Sequence, residues 1–417
     1  MSTGALLERL APAGAADARA ARLRAWFVAH GLPTTRAEAW RYTALDDVTA
    51  ALGRAGPPPP VEPEVTGALV DELAGDHGGP RLVFVNGRVR ADVSDLHAVP
   101  SGVWLGGRGW EDGDEDPPDG FAALNELAGT DAATVLVGAG VRVDEPLHVV
   151  HLVVPGRAVA AVHPRTVVGV GDGSVVEVVE TYAGLAGEAI TVTNASTRIL
   201  AGDSSHVTYH RVQVEADDAL HVGATRVEQA AGSHVRATSV MTGASVARSA
   251  IEARLSGAGA EIDLRGLYLP AGRQRHDNVV TVDHVAPHCR STQLFKGVVD
   301  DHGRGSFTGH VIVRHGAAGT DARQTNRNLV LCPTAQADTR PWLAILADDV
   351  RCAHGATVGR LDDEALFYLR SRGIPLPESR ALLVAAFVGE VLEGLSPASL
   401  RERLTASCAA RMSRAGR

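Results

Sequence analysis

The 417-residue sequence predicts a mainly β fold, a β-solenoid flanked by helices, and three observations carry that expectation. From about Thr134, roughly two hundred residues consist of short β runs separated by Gly, Asp, Ser or Asn, without the amphipathic helices a βαβ sheet would need. A turn cue followed by alternating residues recurs within this stretch. Gly173-Ser174-Val175, Ser204-Ser205-His206, Gly232-Ser233-His234 and Gly259-Ala260-Glu261 align with Ser174, Ser205, Ser233 and Ala260 in one column, at spacings of 31, 28 and 27. Composition agrees: Gly numbers 45 and aromatics are only 4%, which suits a narrow core of small and β-branched side chains with tight corners. A β-sandwich is the alternative architecture, although its 8–12-residue strand spacing fits less well. No strict six-residue period supports a hexapeptide helix.

The elements follow in order. Leu6, Leu7 and Leu10 recur at helical spacing, and Ala18 to His30 brings Leu23, Trp26 and Phe27 onto one face before Gly31 and Pro33 stop the helix. Thr35 to Tyr42 is the densest aromatic and charged cluster of this part, and Pro57 to Pro60 read as a stiff extended spacer. Arg81 to Arg90 reads as a strand pair about Asn86-Gly87, and the acidic, Pro-bearing stretch Glu111 to Asp119 as a loop. The solenoid strands include Thr134–Val137, Leu147–Val154, Val175–Val179, Ile190–Thr193, Val207–Val214 and Ile262–Leu269. After Val358 the period becomes helical. Asp362, Asp363 and Glu364 supply first-turn carboxylates, and Arg370, Arg372 and Gly373 close that helix. A second helix is expected from Pro377 to about Leu395, with Leu382, Leu383, Ala386, Phe387 and Val391 on its buried side. Ser396-Pro397 reads as an N-cap with Pro at the first position, opening a third helix through Leu400, Leu404 and Cys408. The expected organisation is an N-terminal helical and mixed region over 1–125, a solenoid core over 126–359 and a C-terminal helical domain over 360–417.

Charge and motifs narrow the function. Forty basic and forty-nine acidic residues give a net charge of −9, the wrong sign for a nucleic-acid partner. Four scattered cysteines do not make a disulfide framework, and no charged and apolar leader or apolar run of about 20 residues occurs. The expected setting is therefore the cytoplasm, without a membrane and with free thiols. No G-x-x-x-x-G-K-[ST] motif is present, and the single lysine, Lys296, lies in Leu-Phe-Lys-Gly, so no nucleotide is expected on this chain and any ATP work belongs to a partner. Gly169-Val170-Gly171-Asp172-Gly173 precedes no helix and reads as a solenoid corner.

Asp348 to Gly359 is the most informative stretch. If Arg351 to His354 is extended, Cys352 and His354 share a face, and a sulfur beside an imidazole suits iron or zinc. On spacing alone a structural Cys and a hydrogen-bonded His at the end of the last rung is the simpler reading. Two ligands do not complete a site, so metal binding would need ligands from another chain. His288-Cys289 and Cys332-Pro333 read as structural. Asp300-Asp301-His302 leaves open a second class of function, a stand-alone β-helix polysaccharide lyase or hydrolase.

Gln324-x-x-Arg327-Asn328-Leu329-Val330-Leu331, Asp348-Asp349-Val350-Arg351-Cys352-Ala353-His354-Gly355-Ala356-Thr357 and Leu366-Phe367-Tyr368-Leu369-Arg370-Ser371-Arg372-Gly373 resemble the C-terminal signature of the SufB/SufD family of iron-sulfur cluster assembly proteins, on its SufD side. Arg36-x-Glu38-x-Trp40-Arg41-Tyr42-Thr43 resembles that family's early motif, so the resemblance brackets nearly the whole chain. The SufD side is preferred because Ala353 and Gly355 flank the His, where SufB carries acidic residues. The resemblance implies a right-handed parallel β-helix and a non-catalytic scaffold subunit of the SUF system. It implies pairing with SufB and docking of the ATPase SufC, and the sequence leaves open a homodimer when SufB is absent. His354 and Cys352 would hold iron or a transient iron-sulfur cluster at the SufB interface. Leu366, Phe367, Tyr368, Arg370, Arg372 and Phe387 would form the SufC docking surface.

Overall fold

The computed structural model describes residues 3–11, 18–58, 65–107 and 116–415, with side chains up to residue 409. Its centre is a parallel β-solenoid in which successive strands alternate between two sheets. One sheet stacks Val175–Gly184, His206–Val214, His234–Met241, Glu261–Tyr268, Arg290–Val299, Asp321–Val330 and Arg351–Gly359. The other stacks Thr191–Ala201, Leu220–Gln229, Val246–Leu255, Arg275–His284, Arg304–Val313 and Gln336–Ile345. The first of these pairs with Arg165–Val170, and Ala132–Val137 lies beyond that strand. This settles the choice between solenoid and sandwich, because the ladders between successive rungs are parallel.

The column read from the repeat is a physical corner. His206 pairs with Val175 and with His234, and His234 with Glu261, which puts Ser174, Ser205, Ser233 and Ala260 in register. The preceding residue in each rung, Gly173, Ser204, Gly232 or Gly259, has a positive φ between 54° and 70°, the conformation that makes glycine the favoured residue there. His288 and Gly319 continue the turn. The next side chain tucks inward and satisfies a corner carbonyl: Ser174 Oγ donates to Gly138 O at 2.6 Å, Ser205 Oγ to Gly202 O at 2.8 Å and Ser233 Oγ to Ala230 O at 2.7 Å. Cys289 takes the same place, its Sγ donating to Gly257 O at 3.3 Å, which is the structural role its motif suggested. Gly169 to Gly173 is likewise a strand end and corner.

Inside, alternation fills the bore with small and β-branched groups such as Val176, Val178, Ile199, Val207, Val227, Ile251 and Val280. The larger rings Tyr182, Tyr209, Tyr268, Phe295 and Phe307 are fully buried beside glycines and short side chains. A Cβ on Gly266 would lie 2.1 Å from the Phe295 ring, so that rung admits Phe295 only because Gly266 faces it.

Eight α-helices stand among the described residues: α1 (Thr3–Leu10), α2 (Ala18–His30), α3 (Leu45–Leu52), α4 (Gly67–Ala74), α5 (Gly120–Ala128), α6 (Asp363–Ser371), α7 (Leu376–Leu392) and α8 (Ala398–Ala415). The Asn86-Gly87 turn joins antiparallel strands with Phe84 opposite Val89, and both turn residues have positive φ. Pro59, Pro60 and residues 111–115 of the expected spacer and loop lie outside the described residues, while Asp119 caps α5 by accepting from Ala122 N. The helices α1, α2, α3 and α5 cover the outer face of the second sheet, burying Leu6, Phe27, Leu45 and Phe121 against Val192, Leu220, Val222 and Val246.

The aromatic cluster read before α3 clamps that layer down. Trp40 stacks on Phe121 with centroids 5.0 Å apart, and the Arg248 guanidinium lies 3.9 Å over its ring. Arg248 is buried and ion-pairs with Asp277 at 2.6 Å, while Thr43 Oγ1 donates to the same carboxylate at 2.5 Å. Trp40→Ala is expected to cost about 3–5 kcal/mol. Limited proteolysis should then cleave the N-terminal helices first while the β signal in far-UV circular dichroism persists. An unchanged cleavage pattern would contradict the clamp.

On the opposite side, α7 and α8 cover the outer face of the first sheet. Val384, Val388, Val391, Leu395, Leu400, Leu404 and Cys408 pack on Val179, Val212, Val240, Leu267 and Val298. Two expectations are corrected here. The buried stripe of α7 runs through Ser379, Val384, Val388, Val391 and Leu392, whereas Leu382 and Ala386 are exposed. The helix is apolar around most of its circumference, so hydrophobicity alone did not say which side faces the sheet. The third helix begins at Ala398, and Pro397 sits one position earlier than expected, its carbonyl accepting from Leu400 N and Arg401 N. Lys296 pins α7 from within: its Nζ donates to Phe387 O at 2.7 Å and ion-pairs with Glu390.

Candidate partner interface and metal centre

The last rung has no rung after it among the described residues. Gln336–Ile345 and Arg351–Gly359 end their sheets, each with one ladder made and the outer edge unpaired. An unpaired edge offers a row of N–H and C=O groups to another chain. This one is also apolar, with Trp342 49% exposed and Val358 50% exposed, and Ile345 and Leu346 exposed as well. Trp342 stacks on His310 with centroids 4.0 Å apart, which holds the indole against the sheet face.

Cys352 and His354 lie on this terminal strand. Cys352 pairs with Ala322 and His354 with Gln324, so both continue the interior columns of the preceding rung at the open mouth of the solenoid. Cys352 is half-buried, packed on the cluster of Val311, Val313, Ala317 and Ala322, and burial pushes its thiol above the ordinary cysteine value, with Asp321 acting in the same direction. His354 is exposed. Gln293, Gln324 and His354 form one column in register, with Gln324 Nε2 donating to Gln293 Oε1 at 2.8 Å. Gln324 Oε1 is buried without a hydrogen-bond partner and belongs to the residue paired with His354. Among the described residues no three His, Cys, Asp or Glu side chains are grouped so as to hold a metal.

The motif beginning at Gln324 is explained by alternation. Gln324, Asn326 and Asn328 point into the bore, where Tyr268 Oη donates to Asn328 Oδ1 at 2.5 Å and Asn328 Nδ2 donates to Asn326 Oδ1 at 2.7 Å. Arg327 points out and lies 3.6 Å from Glu390 of α7. A polar strand interior ties the mouth to the bore, and its alternate residue ties the rung to the C-terminal helices.

A second surface follows in sequence. Asp362 accepts from Glu364 N at 2.9 Å and Ala365 N at 3.4 Å to cap α6, and Gly373 at φ 84° ends it. No residue of α6 is buried. Phe367 is 76% exposed and Tyr368 58% exposed, with the Arg372 guanidinium 5.2 Å from the Tyr368 ring centroid. Arg370 and Arg372 are exposed beside them, and Leu366 is half-buried. Leu376 and Leu382 of α7 are exposed as well. Phe387 differs from this group: it is half-buried, packed on the apolar layer against the first sheet, with Lys296 Nζ 4.5 Å from its ring centroid.

Residues 153–387 match the family model described as SUF system FeS cluster assembly, SufBD core domain. The chain is 30% identical over 395 residues to the iron-sulfur cluster assembly protein SufD of Escherichia coli, covering 92% of this chain and 90% of the relative. It is 32% identical over 402 residues to an iron-sulfur cluster assembly SufBD family protein of Synechocystis, covering 89% and 86%. A SufBD family protein of Mycobacterium tuberculosis is 40% identical over 181 residues, covering 42% of this chain and 46% of the relative. No helix among the described residues is long and apolar enough to cross a membrane.

Proposed function

Because the chain belongs to the SufBD family of SUF-system iron-sulfur cluster assembly proteins, as one of the SufD type, we propose that it is a scaffold subunit, not a catalyst in its own right, whose terminal rung pairs with a SufB-type partner. The observation that carries this reading is the open rung, where unpaired strand edges, exposed apolar side chains and Cys352 with His354 coincide. Edge-to-edge pairing with a second solenoid would satisfy the free backbone groups and bury Trp342, Ile345 and Val358. It would also supply what this chain lacks. One thiol and one imidazole leave an iron ion or nascent cluster under-coordinated, so the remaining ligands would come from the partner.

Iron is cargo here. Burial pushes the Cys352 thiol up, so binding iron as thiolate releases a proton, and loading should weaken as pH falls. His354 would donate a ring-nitrogen lone pair to the metal. The exposed face of α6 is read as the seat of a SufC-type ATPase, whose ATP-driven motion would be carried through α7 to the first sheet. Lys296, Arg327 and Glu390 are the rigid link.

The test is co-expression with SufB-type and SufC-type subunits and anaerobic purification. His354→Ala should leave the complex assembled while iron affinity falls about tenfold or more. Iron content equal to the wild type would remove His354 from the site.

A further inference from the structure

We propose that a cavity of about 310 Å³ between the N-terminal layer and the outer face of the second sheet binds a small phosphate-bearing anion. Its walls carry Arg41 from the loop before α3 and Arg275 and Arg304 from adjacent strands, with Ser306, Gln336 and Asp338 among the other lining groups. This is a local excess of positive charge on a chain of net charge −9.

The charge is available. Among the described residues, Arg41 and Arg304 make no ion pair, and Arg275 reaches only Asp47, at 3.8 Å. The carboxylate on the cavity floor is already neutralised: Asp277 holds the buried Arg248 at 2.6 Å and accepts from Thr43 and Ser306. Asp338, which accepts from Gln336 Nε2 at 2.9 Å, is the remaining acid in the lining. Three guanidinium groups therefore face one uncancelled carboxylate within the cavity, with Asp47 beside Arg275.

Arg41 is also held in place. Its neighbour Trp40 is locked between Phe121 and Arg248, and Thr43, two residues on, is bonded to Asp277. The clamp fixes the backbone on both sides of Arg41 but uses neither its side chain nor that of Tyr42, which stand at the cavity. Three guanidinium-bearing side chains around one cavity, one of them on a backbone held at both sides, match the forked recognition of phosphate oxygens better than that of a single carboxylate. The volume has room for a pyrophosphate-sized group with its water shell.

Isothermal titration of the full chain at low salt with inorganic pyrophosphate tests this, with citrate as the carboxylate arm. Pyrophosphate should bind saturably at one site, and Arg41→Gln and Arg304→Gln should each weaken it about tenfold or more. Arg290→Gln, on the other sheet, should leave binding unchanged. All three arginines are exposed, so thermal melts of the variants should match the wild type. Absence of saturable binding at millimolar pyrophosphate, equal affinity for citrate, or equal weakening by Arg290→Gln would overturn the proposal. None of these readouts depends on iron or on a partner.

Discussion

Glu180→Ala is expected to destabilise the fold by about 3–5 kcal/mol, among the largest effects of any single change in this chain. Glu180 is fully buried in the bore, yet it is charged and surrounded by donors. Thr166 and Tyr209 donate to its two oxygens, Tyr182 Oη donates at 2.9 Å and Thr197 Oγ1 at 2.8 Å, and His151 Nε2 lies 3.3 Å away. Arg211 is its register neighbour in the next rung, with its guanidinium 5.0 Å from the Tyr182 ring centroid and bonded to His221, which in turn holds Glu215 at 2.6 Å. Removing the carboxylate takes the acceptor away from four buried hydroxyls, and each buried unpaired group costs on the order of 1–3 kcal/mol. Burial alone would raise the Glu180 carboxyl, but the opposing hydrogen bonds from His151, Thr166 and Tyr209 and the charge of His151 prevail and hold it at about 2. A depressed carboxyl stabilises the fold above its unfolded value and loses that contribution as pH falls toward the folded value. The wild type should therefore lose stability progressively between about pH 5 and pH 2, and Glu180→Gln should flatten that part of the profile. Denaturant melts across pH check both points; a variant within about 0.5 kcal/mol of wild type would show that the network is not a stability element.

The corner column was legible because it is local: a residue in the left-handed conformation followed by an inward hydroxyl repeats in the chain, and pairing register follows from it. The interior network was missed for a reason that is also physical. Glu180 shares the inward parity of Val176 and Val178, and Arg211 that of Val207 and Tyr209, so alternation already placed both in the bore. What alternation cannot show is that Glu180 gathers hydroxyls from neighbouring strands and that Arg211 falls opposite it 31 residues on, since that depends on register between strands. The clamp of Trp40, Thr43, Arg248 and Asp277 joins segments more than two hundred residues apart, and only the aromatic density of its first part stood out. At the candidate site, Cys352 and His354 were visible as a pair, whereas the Gln293–Gln324–His354 column required the ladder. The face of α7 was misjudged because Leu382 and Val384 are equally apolar, and the sheet, not the helix, selects between them.

Replacing Phe367 with Asp should abolish retention of a SufC-type ATPase by the complex while leaving this chain's own melting temperature within about 1–2 °C of wild type. Because Phe367 is 76% exposed and α6 buries none of its residues, the aromatic ring contributes little to the fold. Phe367 and Tyr368 on α6 and Leu376 and Leu382 on α7 are all exposed, an apolar area of the kind a partner covers. Buried in an interface, such a ring is worth about 2–4 kcal/mol when truncated, and a carboxylate in its place adds the cost of desolvating a charge. The combined loss corresponds to a weakening of about a hundredfold or more. Val28→Asp supplies the control: Val28 is also an exposed apolar residue, but it lies on α2 over the opposite sheet, so it should not affect retention. Affinity purification of the co-expressed subunits, scored by the ratio of ATPase to this chain, gives the readout. Retention by Phe367→Asp at the level of Val28→Asp would move the docking surface elsewhere, and the neighbouring Arg370 and Arg372 would then be accounted for simply as the cationic end of a capped helix.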